Sequence, residues 1–232
     1  MIKRIRRTAL KLIDRYTTLQ PQIRQKSVWY GNKHTGFYLN PDLLDEHAVV
    51  YSIGIGEDSS FDEAVISQIG CHVFAFDPTP KSISWVKKKN LPARFHFFEV
   101  GLSAQSGVAD FYLPINNNHV SGSIHSHSDL NSSEKITVNV KTLSDLVQQL
   151  GHERIDVLKM DIEGAEYEVI ENILSEKIPI NQLLIEFHAR FFNDGRSKTR
   201  DCIRRLNQHG YRIFAASNSG QEVSFICQHT HR

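Results

Sequence analysis

Short apolar-rich runs alternate along the chain with segments whose apolar residues recur at helical spacing. Residues 48–55 (AVVYSIGI), 71–76, 94–100, 155–160 and 183–187 are runs of the first kind, each ending near a glycine, a proline or a carboxylate. Such runs mark strands buried on both faces, as in a parallel sheet with helices above and below it. Between them the spacing predicts helices. Phe61, Ala64, Val65 and Ile69 form one stripe, and Leu143, Leu146, Val147 and Leu150 a second. Tyr167, Ile170, Ile173 and Leu174 form a third, and Cys202, Ile203 and Leu206 a fourth, stopped by Gly210. Ser60 with Glu63 reads as a capping box, with Gly70 as the stop. Thr79 before Pro80 reads as the N-cap of another helix, whose negative end Lys87, Lys88 and Lys89 complement. Thr142 and Gly151 bracket the second stripe.

Val108–Leu113 and Ile136–Val140 read as further strands, and residues 211–215 and 222–227 flank Ser217-Asn218-Ser219-Gly220, a hairpin composition. Strands alternating with helices and closed by a hairpin predict an α/β fold. The sheet is expected to be doubly wound and Rossmann-like, mostly parallel, with an antiparallel C-terminal hairpin strand. Two stretches escape the rhythm. In residues 1–17, Ile2, Ile5, Leu10, Leu12 and Ile13 among basic residues predict a basic amphipathic helix packed on the domain, with peripheral contact to an acidic partner or membrane surface as the alternative. An irregular lead-in with Tyr30-Gly31 and Gly36-Phe37 follows and is expected to cover the active site. Residues 116–133 are polar and read as a long loop of the functional kind. We therefore divide the chain into an N-terminal segment, 1–47, and one large domain, 48–232, a size its length supports.

Composition removes classes rather than choosing one. Basic and acidic residues nearly cancel, leaving a formal charge of +1, and no dense basic patch interleaves with aromatics, so no nucleic-acid partner is expected. Cys71, Cys202 and Cys227 lie far apart, which argues against a disulfide framework or a cysteine zinc site and fits a reducing compartment. No apolar run reaches the roughly 18 residues of a membrane span. Lys11 and Asp14 interrupt the N-terminal apolar positions, unlike the core of a signal peptide. A cytoplasmic location is the expectation.

The chemistry concentrates in IDVLKMDIEGAEYEVI, residues 155–170. Its buried strand delivers Asp161 and Glu163 to a sheet edge and turns at once into a helix, and ligands of open α/β sheets sit at that edge. Glu166 and Glu168 are expected only to complement the positive end of that helix. Asp161 needs another explanation. Earlier, Gly54-x-Gly56 follows a strand and opens a helix, and Asp77 ends the next strand, placed to accept hydrogen bonds from ribose hydroxyls. A pyrophosphate requires bare N–H groups and positive potential at that turn, yet Glu57 and Asp58 stand there. Like charges at such range are costly in a partly dry site. A cofactor with a cationic sulfonium and ammonium and no phosphate suits these acids, which points to S-adenosylmethionine.

VLKMDIEGAEYEVI resembles the Lys-Asp-hydrophobic-Glu-Gly-Ala-Glu signature of the FkbM-like methyltransferases. Strand 94–102 with Ser103 and Gly107, and LLIEFH at 183–188, follow in the family's order, so that the resemblance covers residues 48–227. It implies a class I S-adenosylmethionine-dependent fold that transfers methyl to oxygen on sugars or other natural-product hydroxyls. It places Gly54 and Gly56 along the methionine portion, Asp77 at the ribose, the backbone of Val100, Gly101 and Leu102 beside the adenine, and Asp161 beside the sulfonium. Ile55 and Pro78 complete the cofactor-binding set. The chain departs from the family in having Ser52 where an Asp commonly begins the glycine loop and Gly56 where an Asn follows, which passes the grip on the methionine end to Glu57 or Asp58. For the proton of a hydroxyl acceptor, Asp161, Glu163, Glu186 and His188 are the candidate bases, with His188 or Asp161 preferred.

Other readings attach to other residues. His119, His125 and His127, with Asp161 or Glu163, could hold a divalent metal that orients vicinal hydroxyls, but a mobile polar lid is the simpler account, so no metal ligand is assigned. A nicotinamide-dependent oxidoreductase is disfavoured by the acidic turn. A non-catalytic cofactor-binding module is the remaining alternative, suggested by the altered glycine loop.

Overall fold

The computed structural model describes residues 19–114 and 130–228. Strands β3 (Val49–Ile53), β4 (His72–Phe76), β5 (Phe95–Phe98), β9 (Ile155–Met160), β10 (Ile180–Glu186), β11 (Tyr211–Ala216) and β12 (Glu222–Cys227) form a seven-stranded sheet in the order β11-β12-β10-β9-β3-β4-β5. Every adjacent pair from β10 to β5 is parallel, and β12 runs antiparallel to both β10 and β11. This is the Rossmann-like class I sheet expected, with the antiparallel strand inserted beside the edge rather than forming it. Winding runs outward from β3 to β5 and in the other direction from β9 through β10, so β3 and β9 flank the topological switch point where α/β sheets take their ligands.

Helices α1 (Ser60–Ile69), α2 (Pro80–Val86), α3 (Leu143–Leu150), α4 (Glu166–Glu176) and α5 (Gly195–Gln208) alternate with these strands. Every residue of β9 is buried. Leu158 and Met160 belong to one apolar cluster with α3, α4 and α5, whereas Val157 belongs to another with Phe61 and Val65 of α1, the two-sided burial that a continuous apolar run predicts.

Several local expectations shift. Ser59 rather than Ser60 is the N-cap of α1 and its side chain makes no capping bond, its Oγ donating instead to the Glu63 carboxylate at 2.6 Å, so the predicted box between Ser60 and Glu63 does not form. Asp58 is the reason, because its carboxylate accepts the Ser60 N–H at 2.7 Å. Thr79 caps α2 as predicted, but Lys87, Lys88 and Lys89 lie at and beyond its end, with Lys87 paired to Glu99 at 2.8 Å. Gly101–Leu102 (β6) leaves the main sheet to pair with β8 (Leu130–Lys141), which also pairs with β7 (Gly107–Pro114). Residues 130–133, expected in a loop, are therefore strand, with Leu130 opposite Pro114 beyond an irregularity in the β7–β8 register. His119, His125 and His127, like the basic helix of residues 1–17, lie outside the described residues.

The lead-in is more ordered than its sequence suggests. Strands β1 (Val28–Tyr30) and β2 (Phe37–Leu39) form an antiparallel hairpin whose Tyr30, Phe37 and Leu39 are buried against α1 and β3. Its aromatic-glycine pairs close the turn: a Cβ at Gly36 would lie 2.4 Å from the Tyr30 carbonyl oxygen. Asn40 and Gln182 of β10 exchange two hydrogen bonds, Asn40 N–H to Gln182 Oε1 at 2.9 Å and Gln182 Nε2 to the Asn40 carbonyl at 3.0 Å. Among the described residues no helix is long and apolar enough to cross a membrane.

Candidate active site

The carboxyl ends of β3 and β9 meet by direct backbone pairing. Asp161 N–H donates to the Ile53 carbonyl at 3.1 Å, and Gly54 N–H to Phe76 of β4 at 2.9 Å. Gly54 and Gly56 have φ of 73° and 56°, in the left-handed region that glycine adopts without strain. At Gly54 there is also no room, because a Cβ would come within 1.8 Å of the Asp161 carbonyl oxygen. Lys159, buried on β9, locks the same turn from below by donating to the Gly54 carbonyl at 2.6 Å and the Ile53 carbonyl at 3.3 Å.

A cavity of about 400 Å³ opens above this junction. Its wall includes Ile53 to Asp58, Phe76 to Thr79, Gly101, Leu102, Asp161 to Glu163, and Thr35 from the lead-in hairpin. Its charge is dominated by acids: Glu57, Asp58, Asp62, Asp77, Asp161 and Glu163 face Lys159 as the lining cation among the described residues. Three turn N–H groups are already committed, Gly54 to Phe76, Asp58 to the Ile55 carbonyl, and Gly56 to Asp77 Oδ2 at 2.9 Å. With those three donors taken, an anion would meet carboxylates rather than positive potential there.

The individual acids differ in availability. Both oxygens of Asp58 are engaged, Oδ1 by Ser60 N–H and Oδ2 by Asn32 Nδ2 and Thr35 Oγ1. Burial works to raise its carboxyl, but these hydrogen bonds hold it below its ordinary value. Asp58 thus fastens the lead-in to the turn, while Glu57 is exposed at the mouth. Asp77 Oδ1 accepts from Thr79 N–H at 2.9 Å and Oγ1 at 2.6 Å, so it splints the turn to the cap of α2. Asp62, unremarked in the sequence, is buried on α1 with Oδ1 lacking a hydrogen-bond partner. Burial pushes its carboxyl up to about 6 against the pull of Lys159. Val100 packs against the core rather than lining this cavity, because the chain turns out of the main sheet there and presents Gly101 and Leu102 instead.

Behind Asp161 and Glu163 lies a second layer. His188, 1% exposed, stacks on Phe191 with ring centroids 5.1 Å apart. Its Nδ1 bonds Glu166 Oε1 at 2.5 Å, and its Nε2 lies 3.1 Å from Glu163, 3.5 Å from Glu186 and 3.6 Å from Asp161. Glu163 reaches this position from a left-handed backbone with φ of 51°, a rare conformation for a side-chain-bearing residue and a familiar sign of a functional turn. Burial opposes charge on His188, but Glu166 and Glu163 raise its pKa well above the ordinary value. The surrounding carboxylates thus favour the charged form of the ring over the free base. Burial pushes Asp161 up to about 6, opposed by Lys159 and His188, and Glu186 up to about 8 with the Asp161 charge adding. Glu166, expected only to complement the positive end of its helix, is also fully buried as the anchor of the imidazole.

Residues 48–213 match the methyltransferase FkbM domain family. Human probable methyltransferase-like protein 24 is 29% identical over 188 residues, covering 77% of this chain and 45% of that protein. The 2-O-methyltransferase NoeI of Sinorhizobium fredii is 29% identical over 136 residues, covering 53% of this chain and 56% of NoeI. A fibrillarin pre-rRNA processing protein from Methanococcus jannaschii aligns with a TM-score of 0.47 at 10% identity, covering 88% of this chain and 83% of that one. With more than half of its length matched and its signature strand at the switch point, the chain belongs to the FkbM methyltransferase family.

Proposed function

We propose that the chain transfers the methyl group of S-adenosylmethionine to a hydroxyl oxygen of a small molecule or glycan. The observation that carries this reading is the acidic cavity at the switch point, where the N–H groups of Gly54, Gly56 and Asp58 are committed internally. Buried Asp62 Oδ1 and Asp161 Oδ1 lack hydrogen-bond partners in its wall, and a cationic ligand with ammonium donors fits them. Asp62 and Glu57 would take the methionine end, and Asp161 would face the sulfonium. Asp77 would meet the ribose, because a carboxylate has about four acceptor sites and three are in use. Pro78, Gly101 and Leu102 would border the adenine. When bound, S-adenosylmethionine supplies an electrophilic methyl group.

The chain's own task is to align an acceptor and accept its proton, with alignment worth up to roughly 7 to 11 kcal/mol in ideal cases. Asp161 and Glu163 are the members of the His188 cluster that reach the cavity wall, and Asp161 at about 6 is matched to neutral pH. We assign the proton to this pair. The name of the relative NoeI supports oxygen as the target. A dinucleotide is disfavoured because its pyrophosphate would meet acids and committed N–H groups. The test is release of S-adenosylhomocysteine from S-adenosylmethionine across a panel of mono- and oligosaccharides and phenols, with the product methyl located by NMR. O-methyl product supports the assignment; methyl found only on nitrogen or carbon refutes the hydroxyl acceptor.

A further inference from the structure

We propose that Asp161, Glu186 and His188 Nε2 hold a divalent cation at the carboxyl ends of β9 and β10. Their ligand atoms lie within 4.8 Å of one another, and the separations from Nε2, 3.5 Å to Glu186 and 3.6 Å to Asp161, are edges suited to a cation about 2.0–2.6 Å from each. The imidazole is built for such a role. Glu166 is an acceptor, so it fixes Nδ1 as the donor and turns Nε2 toward the carboxylates, the carboxylate-histidine pairing that orients metal-ligating histidines. Nε2 is buried among carboxylates, with Glu163 at 3.1 Å, and Asp161 Oδ1, also buried, has no hydrogen-bond partner. An orphaned carboxylate oxygen beside an imidazole nitrogen ringed by acids points to a cationic ligand, and a divalent cation would take the place of the Nε2 proton, which is released to solvent on binding.

Two carboxylates and one imidazole suit a hard divalent cation that also accepts a nitrogen ligand, such as Mn²⁺. Side-chain exposures of 26% at Asp161 and 17% at Glu186 leave an approach from the cavity side. The cation's use, fixing vicinal hydroxyls of an acceptor and lowering the pKa of the one it binds, rests on the methyl-transfer reading. Its binding does not. With Asp161 committed to the cation, Glu163 is the carboxylate left in the wall to receive the proton.

The test uses the full chain stripped with chelator and titrated with Mn²⁺, followed by electron paramagnetic resonance, with S-adenosylmethionine binding measured alongside. One saturable Mn²⁺ per chain with a nitrogen coupling from imidazole is expected, weakened at least about tenfold in Glu186→Gln while circular dichroism stays native. The wild-type nitrogen coupling keeps the idea testable even if that variant does not fold. Wild-type protein that binds S-adenosylmethionine but not Mn²⁺, or Mn²⁺ bound without nitrogen coupling, overturns the cation and leaves the methyl-donor reading standing. Mn²⁺ bound as described without S-adenosylmethionine binding supports the cation and refutes that reading.

Discussion

Asp62 is the residue on which the cavity's electrostatics can be tested most simply. Its carboxyl is pushed up to about 6, above the unfolded value of about 3.9. Ionised Asp62 therefore costs the free protein stability above about pH 6, and that cost is absent below about pH 4. A cationic ligand reverses the preference, because it favours the carboxylate. Affinity for S-adenosylmethionine should fall as pH drops from 7 to 5, approaching about tenfold per unit for this group. Asp62→Asn should bind more weakly at pH 7 and show a shallower pH dependence, both read by calorimetry; a wild-type affinity independent of pH would count against it.

Gly54 makes a steric prediction at the same scale. Ala there meets the Asp161 carbonyl and needs left-handed backbone, costing of order 3 kcal/mol or more, roughly 6–12 °C in melting temperature. An unchanged melt would mean that β3 and β9 are not so tightly joined. Asp161, Glu163 and Gly54 were legible because a strand ending in an acid, or a glycine after a strand, is a local pattern. Lys159, Asp62 and Glu166 were not. A lysine in a strand and acids on helices look solvated until tertiary packing buries them.

Among the elements, the loop from Asp161 to Ala165 and the start of α2 decide how the site is held. Thr79 caps α2 and donates to Asp77, which holds the glycine turn through Gly56. Thr79→Ala should cost about 1 kcal/mol of stability, or roughly 2–4 °C, from the lost cap. It should also weaken S-adenosylmethionine binding, whereas Thr79→Ser should restore both. Thermal melts and calorimetry check this, and a melt change without an affinity change would detach Asp77 from the cofactor. Helix boundaries at Thr79, Thr142, Gly70 and Gly151 were readable from capping chemistry alone. The extension of β8 to Leu130 was not, because its polar residues carry no period and the pairing with β7 supplies the order.

At the scale of the molecule, the sheet order places two layers of acid at one edge. The cavity layer lines the ligand space, and the His188 layer beneath it lies 3.6 Å from Asp161 and 3.1 Å from Glu163. The alternation of apolar runs and helical stripes predicted this sheet, because strands buried on both faces must lie between helices. It did not predict the lead-in hairpin, whose order comes from packing Phe37 and Leu39 on the sheet and from the Asn40–Gln182 bridge. The most direct test of the central claim is calorimetric titration of the full chain with S-adenosylmethionine and, separately, with NAD. Saturable one-to-one binding of S-adenosylmethionine without NAD binding is the predicted result; saturable binding of NAD alone would contradict it.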